Sequence, residues 1–249
     1  MSTDMKLNNL AFTPICGSGN NASILHYPTN ERKIEAGDLL LQDAGTCGYG
    51  YCSDITRTFP TSGHYSEKQK GIYRLVCESN LAVEAALKPG VEWTDMHLLA
   101  DKIHIAGLKN LGLLQGDVDE MLEKRVGAVF MPHGLGHLVG ITVHDVGGYT
   151  KGPERSPLPG LKSLRTRRTM EVGLVITVEP GIYFIDFLLD GAKENPEIKD
   201  YFVWEKVDEY RGFGGVRIED IVAITETGCD LLSPAPKTVE EIEATINGE

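Results

Sequence analysis

His133 and His137 stand four residues apart in the stretch MPHGLGHLVGITVH, residues 131–144, which holds three of the seven histidines. Pro132, Gly134 and Gly136 forbid an ordinary helix there. This is therefore not the helical HExxH arrangement, in which two imidazoles share a helix face. In an extended chain, residues four apart also share a face, because the side-chain period is two. The glycines let other groups approach the backbone. An imidazole pair alone binds little, so the question is which carboxylates can reach it. Four are carried by strand-like segments. Asp43 closes the strand-like run LLLQ, residues 39–42, and Asp54 lies in the alternating run 53–59. Glu179 ends the β-prone run 174–178, and Glu219 sits in the alternating run 216–224. Each has a plainer reading. Asp43 can cap the turn at Ala44-Gly45, and a lone Glu at a strand end is usually exposed. Asp54 resists that reading, because Asp is a poor strand former. With His137, the four carboxylates make a donor set for two divalent cations. Oxygen donors, one imidazole and no thiolate favour a hard or borderline ion such as Mn(II) over structural zinc. Two such ions lower the pKa of a shared water towards neutrality, which is a route to hydrolysis.

Other elements must bring these groups together. The runs 39–43 and 53–59 flank the glycine-rich GTCGYGYC and read as the arms of one hairpin, with Asp43 and Asp54 on facing arms. Ser66 with Gln69 forms a capping box for a helix that Pro89-Gly90 stops. A second helix is predicted from about Thr94 to about Asn110, and a short third near 117–124. His97 and His104 lie seven apart on the second helix and are expected at its surface or boundary, with no function. Residues 151–168 read as a loop with a basic end, Arg165, Arg167 and Arg168. Residues 184–215 read as irregular with a short helix, and Thr238 with Glu241 opens a C-terminal helix.

Composition sets outer limits. The 249 residues suffice for one large domain, and 41% hydrophobic with 24% charged residues describes an ordinary globular protein. The net charge, 24 − 36 = −12, disfavours nucleic acid and anionic membrane as partners. Five scattered cysteines point to a reducing compartment, and Cys47 with Cys52 lacks the second pair that a zinc site needs. With neither an apolar leader nor a run of membrane-spanning length, a cytoplasmic location is the expectation.

The segments QDAGTCGYGYCSDITRTFP, MPHGLGHLVGITVHDVGGY, TVEPGIYF and GGVRIEDIV resemble those of the prolidases, Xaa-Pro dipeptidases of the pita-bread metallopeptidase superfamily, in order from about residue 13 to about residue 243. The resemblance implies an α+β pita-bread fold, a curved and mainly antiparallel sheet with helices outside. Residues 13–249 would be the catalytic domain after a lead-in, 1–12. It implies two divalent cations, Mn(II), held by Asp43, Asp54, His137, Glu179 and Glu219, with Asp54 and Glu219 bridging. It implies hydrolysis of small Xaa-Pro dipeptides, with Glu179 moving a proton and His144 donating to the oxygen that gains charge. His26, His144 and Arg165 would contact the dipeptide, Arg165 pairing with its C-terminal carboxylate. His133 is left as structural or as a support behind the ligands, and Arg217, beside Glu219, is expected to orient that ligand or to neutralise local charge. The chain departs from the family in lacking the usual N-terminal domain and the helices before CGSG. That leads to the expectation of an uncovered sheet face and a weakened homodimer. The alternatives are an aminopeptidase P-like action on longer peptides, a silent binding domain, or an inactive fragment.

Overall fold

The computed structural model describes residues 9–150 and 154–248. Lead-in residues 1–8, residues 151–153 of the expected loop and the final residue lie outside the described residues. The chain opens with β1 (Asn9–Leu10) and β2 (Ile15–Ser18), then runs through β3 (Leu39–Ala44), β4 (Thr46–Gly48), β5 (Tyr51–Cys52) and β6 (Ile55–Pro60). Helices α1 (Glu67–Ala86), α2 (Trp93–Asn110) and α3 (Val118–Glu123) follow. After a long irregular stretch come β7 (Val175–Val178), β8 (Gly181–Tyr183), α4 (Asp186–Glu194) and α5 (Trp204–Asp208). The chain closes with β9 (Gly215–Arg217), β10 (Asp220–Ile224), β11 (Cys229–Leu231) and α6 (Val239–Asn247).

Every strand pairing among the described residues is antiparallel. The orders are β2-β3-β6, β11-β10-β7, β1-β4-β5 and β8-β9. A bridge between Thr56 and Glu219 joins the first of these pieces to the second. Strand β1 falls inside the stretch read as a lead-in and pairs with β4.

The helices start where the sequence predicts. In α1 the Ser66 side chain accepts from the Gln69 amide while the Gln69 side chain accepts from the Ser66 amide. Thr238 and Glu241 repeat that exchange at α6. The buried stripe of α1, Ile72, Tyr73, Val76, Asn80 and Val83, packs on α2, which buries Trp93, Met96, Ala100, Ile105 and Leu108. Each large apolar side chain sealed there contributes about 1.5–3 kcal/mol. One core joins α1, α2 and α3 to β8 and β9, and a second joins the end of α1 and the start of α2 to β7 and β10.

Three expectations are corrected. His97 and His104 are not boundary residues but are sealed, at 0% and 1% exposed. Burial holds both imidazoles down at about 3, so they stay neutral. The run 216–224 is not one strand. Arg217 ends β9, which pairs with β8, and Asp220 starts β10, which pairs with β7. Glu219 stands at the break. Residues 184–215 hold two α-helices and a 3-10 turn, Lys199–Tyr201, and Arg211 ties the α-helices together by pairing with Asp186, Asp190 and Asp208.

Candidate metal centre

Strand register sets the first two carboxylates. Asp43 is the Cα partner of Thr56. Asp54 lies two residues before Thr56, so it shares that face and sits diagonal to Asp43. The histidine stretch runs antiparallel beside β7 without forming a regular strand. Thr177 N donates to His137 O at 2.9 Å, and Glu179 N donates to Leu135 O at 2.8 Å. That register delivers His137 and Glu179 to one edge. Gly136 makes the approach possible, since a Cβ there would stand 2.0 Å from Thr177 O. Glu219 enters from the break between β9 and β10. Arg57 holds it there, donating to Glu219 O at 2.8 Å and to Asp220 Oδ1 at 2.7 Å.

All five expected donors therefore line one cavity of about 380 Å³. His137 Nε2 lies 3.3 Å from Asp54 Oδ2, 3.6 Å from Glu179 Oε1 and 4.0 Å from Glu219 Oε1. Asp54, His137 and Glu219 each offer a ligand atom within 4.8 Å of the others. The fourth and fifth donors are bound to the protein as well. Asp43 Oδ2 accepts from Arg217 Nη2 at 2.7 Å, and Glu179 Oε1 lies 3.4 Å from Thr177 Oγ1. Arg217 thus serves Asp43 directly. It reaches Glu219 only through Thr56, whose hydroxyl donates to Glu219 Oε2 at 2.6 Å.

Electrostatics test whether this pocket suits a cation. Burial raises Glu179 to about 7, an effect that His137 and Arg217 oppose and Asp54 and Asp43 reinforce. Burial raises Asp43 to about 6 against the pull of Arg217. Glu219 is raised further by burial and then by Asp54 and Glu179. Burial would lower His137, but its bond to Asp54 and the charge of Glu179 outweigh that and raise it. Asp43 Oδ1 and Asp54 Oδ1 are buried with no protein partner. Crowded carboxyls that repel one another, with unpartnered oxygens, fit divalent cations. The His137 ring fits too. Its Nδ1 lies 3.1 Å from Leu138 O, which leaves Nε2 facing the carboxylates.

The three residues expected to meet substrate also line this cavity, but they are exposed: His26, His144 and Arg165. The His144 ring stands edge-on to His137, centroids 4.4 Å apart. Burial, then His137 and Arg165, lower His144 to about 4. Burial, then Arg217 and Arg165, lower His26. His133 is held by Tyr183, whose hydroxyl lies 3.0 Å from Nε2.

Sequence reading missed Thr56, Tyr183 and Arg155. Thr56 had a signal, since it alternates with Asp54. Tyr183 accepts from Arg217 Nη1 at 2.9 Å, and nothing in PGIYF pointed to that. Arg155 lines the cavity, stacks on Tyr149 at 4.6 Å and donates to the carbonyls of Lys162 and Leu164. It therefore props the segment that presents Arg165.

An antiparallel framework with helices on its outer side and a carboxylate-lined cleft is the architecture of the pita-bread metallopeptidases. The sequence profile of metallopeptidase family M24 matches residues 1–226, and the chain belongs to that family. It is 51% identical over 246 residues to the human Xaa-Pro dipeptidase, covering 97% of this chain and 50% of that protein. It is 44% identical over 238 residues to a probable Xaa-Pro aminopeptidase of Fusarium vanettenii, covering 96% and 51%. Among solved structures, the Pseudomonas aeruginosa aminopeptidase PepP superposes with a TM-score of 0.80 at 40% identity, covering 98% of this chain and 49% of that one. The chain spans about half the length of the curated relatives it matches. No helix among the described residues is long and apolar enough to cross a membrane.

Proposed function

We propose that this chain is a metallopeptidase catalytic domain that hydrolyses Xaa-Pro dipeptides with two divalent cations, manganese by preference. The residues that would hold the cations are Asp43, Asp54, His137, Glu179 and Glu219. The observation that carries this reading is the meeting of those five donors, from five separate segments, in one cleft with unpartnered carboxylate oxygens. When bound, such cations supply Lewis acidity to the scissile carbonyl and acidify water. The remaining work falls to the chain. Glu179 accepts the proton released by the attacking water and returns it to the prolyl nitrogen. His144, neutral at pH 7, donates to the carbonyl oxygen as it gains charge. His26 bonds the leaving half, and Arg165 pairs with the C-terminal carboxylate, which penalises longer peptides. Residues 13–249 form the proposed domain, and the scattered free cysteines support a reducing, cytoplasmic setting.

A second reading is cleavage of longer Xaa-Pro peptides. It is favoured by the likeness to solved aminopeptidase P structures, among them the Escherichia coli enzyme with the inhibitor Pro-Leu. Steady-state hydrolysis of Gly-Pro and Gly-Pro-Ala with added Mn(II) decides between them. The dipeptide reading expects Gly-Pro to be preferred by tenfold or more, with Arg165→Ala closing that gap. It also expects Glu179→Gln to lose most of its turnover. Equal use of both peptides supports the second reading, and unchanged turnover in Glu179→Gln removes the proposed proton carrier.

A further inference from the structure

The hairpin that delivers Asp54 carries a pair of thiols that hydrolysis does not use. Cys47 on β4 and Cys52 on β5 are directly opposed Cα partners. The turn between the strands is tight. Tyr49 and Gly50 have φ of 52° and 87°, the double left-handed conformation of a two-residue hairpin loop. Hydrogen bonds show which kind of cross-strand pair this is. Ser53 N donates to Thr46 O at 2.9 Å, one step further from the turn. Cys52 N points away from Cys47 and donates to Gly140 O at 2.7 Å. The cysteines therefore occupy a non-hydrogen-bonded site. Facing Cα atoms at such sites stand about 4.5 Å apart, with side chains closer than at hydrogen-bonded ones. A disulfide spans Cα separations of about 4.4–6.8 Å. Both thiols are free and half-buried, within reach of a small reagent.

We propose that Cys47 and Cys52 form a redox-modification site, closing a reversible cross-strand disulfide by exchange with a low-molecular-weight disulfide. One cysteine thiolate attacks the small disulfide, giving a mixed disulfide and one small thiolate. The facing cysteine loses its proton and attacks the protein sulfur of the mixed disulfide, forming the Cys47–Cys52 bond and expelling the second small thiolate. The two cysteines give up two electrons and two protons, and the small disulfide becomes two thiols. In the reduced chain Cys52 Sγ donates to Ile141 O at 3.4 Å. A disulfide sulfur has no proton to donate, so oxidation removes this tie to residues 140–144 while cross-linking the hairpin two residues before Asp54. A transient bridge of this kind suits a reducing compartment, where disulfides serve sensing rather than framework roles. The inference rests on strand register and free thiols, not on the hydrolytic reading.

The test equilibrates the folded chain against a series of oxidised-to-reduced glutathione ratios, quenches with an alkylating reagent and maps the peptides by mass spectrometry. Cys47 and Cys52 are expected to lose reactivity together, with loss of two hydrogens, and to recover on reduction, while Cys16, Cys77 and Cys229 enter no disulfide within the chain. Cys47→Ser and Cys52→Ser should each stop at the glutathione adduct of the remaining cysteine. The proposal is overturned if both thiols stay reactive at ratios that oxidise the urea-unfolded chain, or if either bridges to a third cysteine instead.

Discussion

In the cleft, Asp43, Asp54, Glu179 and Glu219 crowd around the buried His137 imidazole and Arg217 guanidinium, with Arg155 and Arg165 at the rim. Around α2 a second buried polar cluster follows a different rule. There Asp101 accepts from Arg125 Nη2 at 2.6 Å, and His104 Nε2 lies 2.8 Å from Ser79 Oγ. His97 Nε2 is 3.7 Å from Asp101. Its charges balance one to one, and its imidazoles are neutral. It has its own cost, since both His97 ring nitrogens are buried without a protein partner. The sealed cluster balances its charge with groups the chain supplies, although Asp101 Oδ1, Arg125 Nη1 and His104 Nδ1 also find no protein partner. The cleft cluster sets four carboxyls against one buried guanidinium, so that burial and mutual repulsion raise Asp43, Glu179 and Glu219, and its open side faces solvent. That imbalance marks a site that must be completed from outside, whereas the balanced cluster ties α2 to α1 and to the segment after α3.

The comparison breaks most visibly at the cleft. Asp54→Asn should lower cation affinity and reduce dipeptide turnover by at least ~10³-fold, about 4 kcal/mol of transition-state stabilisation. Its melting temperature without added metal should hold or rise, because one of several repelling charges is gone. Calorimetric Mn(II) titration and a thermal melt check both, and wild-type cation affinity in this variant would remove the distinction.

Asp101→Ala should do the opposite. It strands the buried Arg125 guanidinium, at a cost of about 3–5 kcal/mol in denaturant unfolding. The fraction that stays folded should keep its cation affinity. A fall in affinity without a fall in stability would mean the two clusters are one system.

A pH series sharpens the contrast. His104 has a folded pKa of about 3, below its ordinary 6.5. The unfolded chain therefore takes up a proton below pH 6.5 that the folded chain refuses, and the stability tied to this residue falls as pH drops from 6.5 towards 3. His104→Gln lacks that dependence. Its deficit relative to the wild type should shrink by about 2 kcal/mol between pH 7 and pH 5. A deficit that does not change with pH would show that His104 is protonated in the fold.

The smallest effect is expected at the rim. Arg155→Ala removes the support of the segment bearing Arg165. It should raise the dipeptide KM about fivefold, about 1 kcal/mol, with kcat nearly unchanged. A change in kcat alone would place Arg155 in the chemistry instead.

Much of this was legible locally. The capping pairs Ser66–Gln69 and Thr238–Glu241 mark helix starts because both partners lie within one turn. The arms at Asp43 and Asp54 are close in sequence, and antiparallel alternation puts them on one face. The resemblance supplied His137, Glu179 and Glu219, and the glycines around His137 announced a close approach that Gly136 makes against Thr177. Other features were hidden for physical reasons. The spacing of His97 and His104 puts them on one face of α2, but which face is sealed depends on where α1 packs. The alternation through residues 216–224 conceals a change of partner at Glu219, since a strand that switches sheets keeps its local pattern.

The amino-acid order by itself determined which residues can serve as donors, where the helices begin and how the first hairpin alternates, because these depend on neighbours a few positions away. Only the tertiary structure decided that Arg217 answers Asp43 rather than Glu219, that Thr56 carries the link to Glu219, and that Cys52 turns its amide to Gly140 instead of Cys47. Those contacts join segments roughly 90 to 170 residues apart in the chain. Chain separation carries no information about which distant polar group will be nearest once burial has removed water as the competing partner.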